Sequence, residues 1–285
     1  MNSRSADFGT CRLCGSAANE VALKLSGMPR WNHRLLKDSE VATDRAVDLE
    51  IHRCASCGFV SLPLQLQDDY YDDYVNAPSA SPQMQQFQRE QAKLFVERFG
   101  LRGKSVLEVG CGDGFFLDML RAEGAECTGI EPSEAQRAIA QARQLRVEGG
   151  LLTADRRLSA GPFDAFATRQ VFEHVPDLAG FLAAIRANLK PAAVGLVEVP
   201  NLDALIDESR FFDFIPEHLN YFSPSSLRLV LELAGFEVLE VMPVQAGESL
   251  RALVRLIAPR TLAGIGTRVQ ELREAMSRFV AESKA

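Results

Sequence analysis

Between residues 81 and 199, short apolar runs alternate with amphipathic stretches. Ser81-Pro82 opens a helix, with Ser as N-cap and Pro at the first helical position. Met84, Phe87, Leu94, Phe95 and Phe99 fall mainly on one face of it, and Gly100 ends it. A buried-strand pattern follows at Ser105–Val109, then a helix over 115–121 and a strand over 127–130. Ser133 caps a helix to about residue 143; 163–168 reads as a strand, 178–189 as a helix and 194–199 as a strand. Strands alternating with helices predict a mostly parallel sheet covered on both faces, with ligands at the carboxyl ends of its strands. The alternation breaks after Pro200. Ser223-Pro224 restarts a helix to about residue 233, Gly235 stops it, and 238–241 and 250–257 read as strands. At the end, Val269, Leu272, Met276, Phe279 and Val280 recur at helical spacing, predicting an amphipathic C-terminal helix over 259–285.

The 285 residues allow one large domain or two unequal ones. With 47% hydrophobic and 24% charged residues the chain is neither disordered nor collagenous. No apolar run is long enough to cross a bilayer, and the polar start leads to no secretory core, so a cytoplasmic protein is expected. The formal net charge is −7 and there is no dense basic block, which argues against a large nucleic-acid footprint. Arg137, Arg143 and Arg146 read as a solvated helix face.

Four of the six cysteines form two C-x-x-C pairs, Cys11/Cys14 and Cys54/Cys57, each followed at once by glycine. Two such pairs suit a tetrahedral thiolate site for structural zinc, and the tight turn after each second cysteine lets backbone amides point back at the sulfurs. Disulfides are disfavoured in a reducing compartment, and matched pairs fit metal better than a redox dithiol. His33 and His52 are bystanders while four cysteines are available. Cys127 reads as core. Residues 1–75 are thus a zinc module and linker. Within the linker, the acidic and aromatic run 68–74 reads equally as a solvated hinge or as a lid over a substrate.

The densest motif is Glu108-Val109-Gly110-Cys111-Gly112-Asp113-Gly114, joining a buried strand to a helix. Its G-x-G-x-G spacing matches neither the dinucleotide fingerprint nor a P-loop. It suits a nucleoside ligand without a pyrophosphate, approached closely by backbone. Glu131 ends the next strand, where a carboxylate can accept both hydroxyls of a ribose.

These motifs, with Phe163-Asp164 leading into Gln170-Val171-Phe172-Glu173-His174-Val175, resemble class I S-adenosylmethionine-dependent methyltransferases. The resemblance implies an α/β fold: a Rossmann-like sheet over 76–258, with the four-cysteine zinc module in front and the C-terminal helix behind. It implies that Gly110, Gly112 and Gly114 wrap the methionyl part of S-adenosylmethionine, that Glu108 positions its ammonium and that Glu131 holds the ribose. Cys111, Pro132 and Gln170 complete the expected cofactor-lining set, and Asp155 is a candidate contact to adenine.

The zinc module, this core and the stretch Pro216-Glu217-His218-Leu219-Asn220-Tyr221-Phe222 together look like the bacterial sugar C-methyltransferases. That family has a further large domain after the core, where this chain has only the terminal helix. The resemblance implies a small-molecule acceptor, a nucleotide-linked keto-deoxysugar. His218 would abstract the proton beside the ketone, Glu217 would orient or polarise His218, and Tyr221 would steady the enolate oxygen or position the sugar. A carbon acid beside a ketone needs a positioned base, and neutral imidazole suits pH 7. His174 reads as structural, and His218 has the alternative of fixing an insertion loop. The expected assembly is a monomer or homodimer, with neither nucleic acid nor membrane as partner. Three other functions compete: transfer to oxygen or nitrogen of a small metabolite or glycan, an RNA methyltransferase gripping through its zinc module, and a non-enzymatic scaffold. The near balance of acidic and basic residues over 1–60 disfavours the RNA reading, and the intact glycines and Glu131 disfavour the scaffold.

Overall fold

The computed structural model describes residues 10–30, 36–42, 44–63 and 81–257. The hinge-or-lid run 68–74, His33 and the C-terminal helix over 259–285 lie outside the described residues.

The N-terminal part contributes β1 (Asn19–Met28), the single turn α1 (Asp38–Val41), β2 (Val47–Cys54) and β3 (Val60–Ser61). The long helix α2 (Pro82–Phe99) follows, with the Ser81 hydroxyl accepting from the Met84 amide and Gly100 closing it in the left-handed region at φ +62°. Then come β4 (Ser105–Val109), α3 (Phe115–Ala122), β5 (Glu126–Glu131), α4 (Glu134–Ala142), β6 (Val147–Gly149), β7 (Phe163–Arg169), α5 (Leu178–Ala187) and β8 (Leu189–Pro200). An insertion carries α6 (Leu202–Asp207) and β9 (Asn220–Tyr221), and α7 (Pro224–Leu233), β10 (Phe236–Val244) and β11 (Ser249–Leu256) complete the order.

Seven strands form one sheet in the order β10-β11-β8-β7-β4-β5-β6. The five from β8 to β6 run parallel, and β11 is antiparallel to both of its neighbours. Strand alternation divides the core into two layers. Val106, Ala165, Ala167, Leu196 and Leu253 face Phe95 of α2 and Phe116 and Leu120 of α3. Their neighbours Leu107, Phe166, Val197 and Val254 face the other way, in the cluster that holds Leu182 and Ile185 of α5 and Leu227 and Leu231 of α7. Each fully buried Leu or Phe contributes roughly 2–3 kcal/mol of apolar burial. The chain leaves β4 for β5 and β6 on one side, then returns to lay β7 on the other. That switch point opens a crevice at the carboxyl ends of β4 and β7.

The strand expected at 194–199 starts five residues earlier, and the helix expected to reach residue 189 stops at Ala187. Asn188 explains both. Its side-chain amide donates to the carbonyls of Ala184 and Arg156, ending the helix, and Leu189 pairs at once with Phe163. Ala192, at φ +60°, lies in the irregularity where the register against β7 shifts, from Phe163 opposite Leu189 to Ala165 opposite Val194.

A second sheet has the order β1-β2-β3-β9. Its last strand comes from the insertion, so residues 220–221 complete a sheet otherwise built by the N-terminal part. Leu49, Ile51, Val60 and Leu62 share a buried cluster with Leu202, Leu205, Phe214 and Tyr221.

Candidate functional site

The four paired cysteines converge. The sulfurs of Cys11 and Cys57 lie 3.6 Å apart, as do those of Cys14 and Cys54, and all four lie within 4.8 Å of one another. A zinc ion with bonds of about 2.3 Å separates its ligand sulfurs by about 3.8 Å, so the cluster has the size of a tetrahedral site. Gly15 and Gly58 take left-handed φ of +71° and +78°, closing two similar turns. Amides of Leu13 and Cys14 point at Cys11 Sγ, that of Ser16 at Cys14 and that of Phe59 at Cys57. Cys11 is pulled down to about 5, first by the hydrogen bond from Cys57 and then by its two amides. His52 lies on β2 with Nε2 3.9 Å from a Glu50 carboxylate oxygen, outside the sulfur cluster.

One cavity of about 900 Å³ occupies the crevice. Beside it the chain turns from β4 into α3 through Gly110, Gly112 and Gly114, at φ +73°, +52° and +76°. A Cβ on Gly110 would come 2.5 Å from Val171 Cγ2, and one on Gly114 would come 2.5 Å from Leu145 Cδ1, whereas one on Gly112 would meet no protein atom within 4 Å. Glu131 fastens this loop, its two carboxylate oxygens accepting from the Gly112 and Ser133 amides, both at 2.9 Å. Burial raises its pKa against those two bonds. Cys111 turns its side chain into a small cluster with Leu117, Ala140 and Leu145, packed where Gly129 leaves room, while Cys111 and Pro132 both line the cavity. Residues 150–154 form the wall beyond β6; Asp155 is exposed, its carboxylate held by Thr153, and is not part of that wall.

Glu108 is buried, and its Oε2 has no hydrogen-bond partner. Burial pushes its pKa up to about 8, with Asp113 and Glu131 adding repulsion and Arg169 opposing. A buried carboxylate oxygen without a donor, in a cavity floored by glycines, fits the ammonium of a methionyl group. Gln170, at φ +53°, gives its side-chain amide to Glu198 and to the Ser249 hydroxyl, each at 3.2 Å. Glu198 also holds the Arg169 guanidinium at 3.1 Å and accepts from Gln91. Sequence reasoning passed over Arg169 and Glu198; the available signal was one acidic residue inside the apolar run 194–199.

Also on the cavity lining, a 3-10 turn after β7 (Phe172–His174) presents Glu173 and His174, and the insertion brings His218 against them. Ligand-type atoms of these three side chains lie within 4.8 Å of one another, and the two imidazole rings are 5.0 Å apart. His174 Nδ1 lies 2.8 Å from the Glu217 carbonyl. A carbonyl only accepts, so Nδ1 carries a proton, and Nε2 lies 3.9 Å from Glu173 Oε1. Burial raises Glu173 to about 8, with Glu198 adding to the shift, and its Oε2 has no partner. The Glu217 side chain is buried, and it is its main-chain carbonyl that meets His174. Tyr221 packs on Phe214 with its ring 6.3 Å from that of His218, and its hydroxyl donates to the Ile215 carbonyl at 3.4 Å. Burial drives its pKa well up. His174, read from sequence as structural, therefore stands in the cavity beside His218.

The sheet order, the glycine turn, the acid at the end of β5 and the cavity they line define a class I S-adenosylmethionine-dependent methyltransferase. Residues 84–241 match the model of the methyltransferase domain, and the chain belongs to that family. It is similar to the C-methyltransferase NovU of Streptomyces niveus, 26% identical over 281 residues, which cover 96% of this chain and 65% of NovU. The chain therefore spans slightly less than two thirds of that relative's length. It is also similar to the ubiquinone biosynthesis O-methyltransferase of Pseudomonas paraeruginosa, 32% identical over 51% of this chain and 70% of that protein. Among solved structures, an S-adenosylmethionine-dependent methyltransferase from Clostridium acetobutylicum shares the fold. Its TM-score is 0.50 at 12% identity, over 60% of this chain and 92% of that one.

Proposed function

We propose that this protein transfers the methyl group of S-adenosylmethionine to a carbon atom beside a ketone, in a nucleotide-linked keto-deoxysugar. The observation that carries this reading is the pairing of the His218 and His174 rings beside buried Glu173, on the lining of the same cavity as the glycine turn. The likeness to NovU supports it, because it extends through the cysteine module as well as the core.

When bound, S-adenosylmethionine supplies an electrophilic methyl group on a sulfonium. Glu108 takes its ammonium, Glu131 its ribose, and Gly110, Gly112 and Gly114 let the backbone close on it. His218 removes the proton beside the ketone, and the released electron pair passes through the enolate to the methyl carbon. The cofactor would supply the methyl by loss of its sulfonium charge, leaving a neutral thioether, and His218 would return its proton to water. Glu217 orients the pair of imidazoles through its carbonyl on His174. Tyr221, held by Ile215, packs the loop beneath His218. Zinc is assigned to Cys11, Cys14, Cys54 and Cys57 as a structural ion, since four thiolates leave no open position. No helix among the described residues is long and apolar enough to cross a membrane, which accords with a cytoplasmic enzyme acting on soluble metabolites.

The likeness to the ubiquinone biosynthesis enzyme favours a second reading, in which His218 deprotonates a hydroxyl and the methyl passes to oxygen. The test uses S-adenosylmethionine labelled with carbon-13 in its methyl group, incubated with the enzyme and a metabolite extract enriched in nucleotide sugars. A methyl resonance typical of a carbon-bound group is the expected result; an oxygen- or nitrogen-bound one ends the C-methylation reading. His218→Ala should lower turnover by at least about a hundredfold while leaving cofactor affinity intact, as loss of a general base does. Full activity in that variant removes the base assignment.

A further inference from the structure

We infer that Arg12 is a positioning residue, through which the cysteine module holds the two histidines in place; the inference rests on the reading of His218 and His174 as the acceptor-side groups. Arg12 lies in the turn between Cys11 and Cys14, so metal on those two thiolates fixes the position of its backbone. Its guanidinium leaves the module and forks. One nitrogen donates to the Pro176 carbonyl at 2.9 Å, and another to the Leu62 carbonyl at 3.2 Å.

Both acceptors belong to segments that carry the histidines. Pro176 lies two residues beyond His174. The amide of Leu62 donates to the Leu219 carbonyl at 2.9 Å, and the amide of Leu219, next to His218, donates to the Glu173 carbonyl at 2.7 Å. The hydrogen bonds therefore close a ring: Arg12 to Leu62, Leu62 to Leu219, Leu219 to Glu173, then along the chain to Pro176 and back to Arg12. Asn220 braces it from inside, its side-chain amide donating to the carbonyls of Phe172 at 2.9 Å and Val175 at 2.7 Å. Phe59, Phe222 and Phe172 pack as a continuous aromatic seam behind it, with centroids 5.7 and 6.2 Å apart.

A planar guanidinium suits this position. It offers donors in two fixed directions from one rigid group, and both carbonyls are otherwise remote in sequence from the turn. Lysine could reach one of them at a time. The turn carrying His174 and the insertion carrying His218 are separate segments of the core, divided by α5, β8 and α6, and within this ring the Arg12 fork is what ties both of them to the cysteine turn.

The experiment compares the full chain, Arg12→Ala and Arg12→Lys, each zinc-loaded and saturated with S-adenosylhomocysteine as the probe. Metal content and probe affinity are measured first. Histidine labelled with carbon-13 at the ring then gives imidazole spectra, simplified because the chain has four histidines, and assigned with His174→Asn and His218→Asn. Arg12→Ala should keep one zinc and bind the probe within about twofold of the parent, yet shift or broaden the His174 and His218 signals together. Arg12→Lys should restore them in part. Unchanged His174 and His218 spectra in Arg12→Ala overturn the inference. So does loss of zinc or of probe binding in both variants, which would make Arg12 a support of the module itself. If the two signals move but His218→Ala is fully active, the coupling stands and the base assignment is what fails.

Discussion

Glu108 places a carboxyl group where water cannot solvate its charge, so its proton is held to about pH 8, and burial does the same for Glu173. Unfolding returns both groups to their ordinary value near 4.5. Between those values the folded protein holds protons that the unfolded chain has released. Their contribution to stability is therefore full below about pH 4.5, declines as pH rises and is lost above about 8. The melting temperature of the cofactor-free protein should fall between pH 5 and 8, and less steeply in Glu108→Gln. Binding of the cofactor's ammonium should ionise Glu108 and release about one proton at pH 7, read by calorimetry in buffers of different ionisation enthalpy. Absence of proton release would remove Glu108 from the ammonium site. The glycines should divide in the same way. Gly114→Ala forces a Cβ against Leu145 at 2.5 Å and should cost about 1–3 kcal/mol in urea unfolding. Gly112→Ala meets no protein atom within 4 Å and should cost only about 1 kcal/mol for its left-handed backbone, while weakening cofactor binding.

At the scale of elements, caps and pairings divide the load. Ser223 opens α7 with a reciprocal cap, its hydroxyl accepting from the Ser226 amide at 3.2 Å while the Ser226 hydroxyl accepts from the Ser223 amide at 2.9 Å. Ser223→Ala should cost about 1 kcal/mol in chemical denaturation, with little effect on cofactor affinity. The two-residue strand β9 has little stability of its own and depends on β3 for its partners. Stripping zinc with a chelator should therefore raise hydrogen exchange at the amides of Tyr221 and Leu219, 160 residues and more along the chain from the cysteines, faster than in β4 or β7. Equal protection with and without the metal would mean that the second sheet stands without it. Helix ends marked by Ser, Ser-Pro and Gly were legible beforehand because those residues act locally; the start of β8 was missed because Asn188 ends the preceding helix partly through the distant Arg156 carbonyl.

Across the whole molecule, charge and topology set the partners. A net charge of −7 without a dense basic block in the sequence predicts no salt-sensitive retardation of RNA in a gel at physiological ionic strength. A salt-dependent shift would revive an RNA acceptor. Topology does the rest: the reversal of strand order between β4 and β7 opens the cavity, and the insertion after β8 supplies part of its lining.

The four thiols, the glycine turn, the acid ending β5 and the alternation that makes a parallel sheet can all be read along the chain. Each is written in residues close together, where chain stiffness, capping and strand periodicity act over a few positions. Packing alone brings Arg169 and Glu198 together on the cavity lining, sets His174 against His218 and joins the cysteine module to the insertion in one sheet. Those contacts join segments tens to more than a hundred residues apart. They exist because burying the apolar faces of the sheet fixes the crossovers, and no local pattern records which distant side chains that packing will bring together.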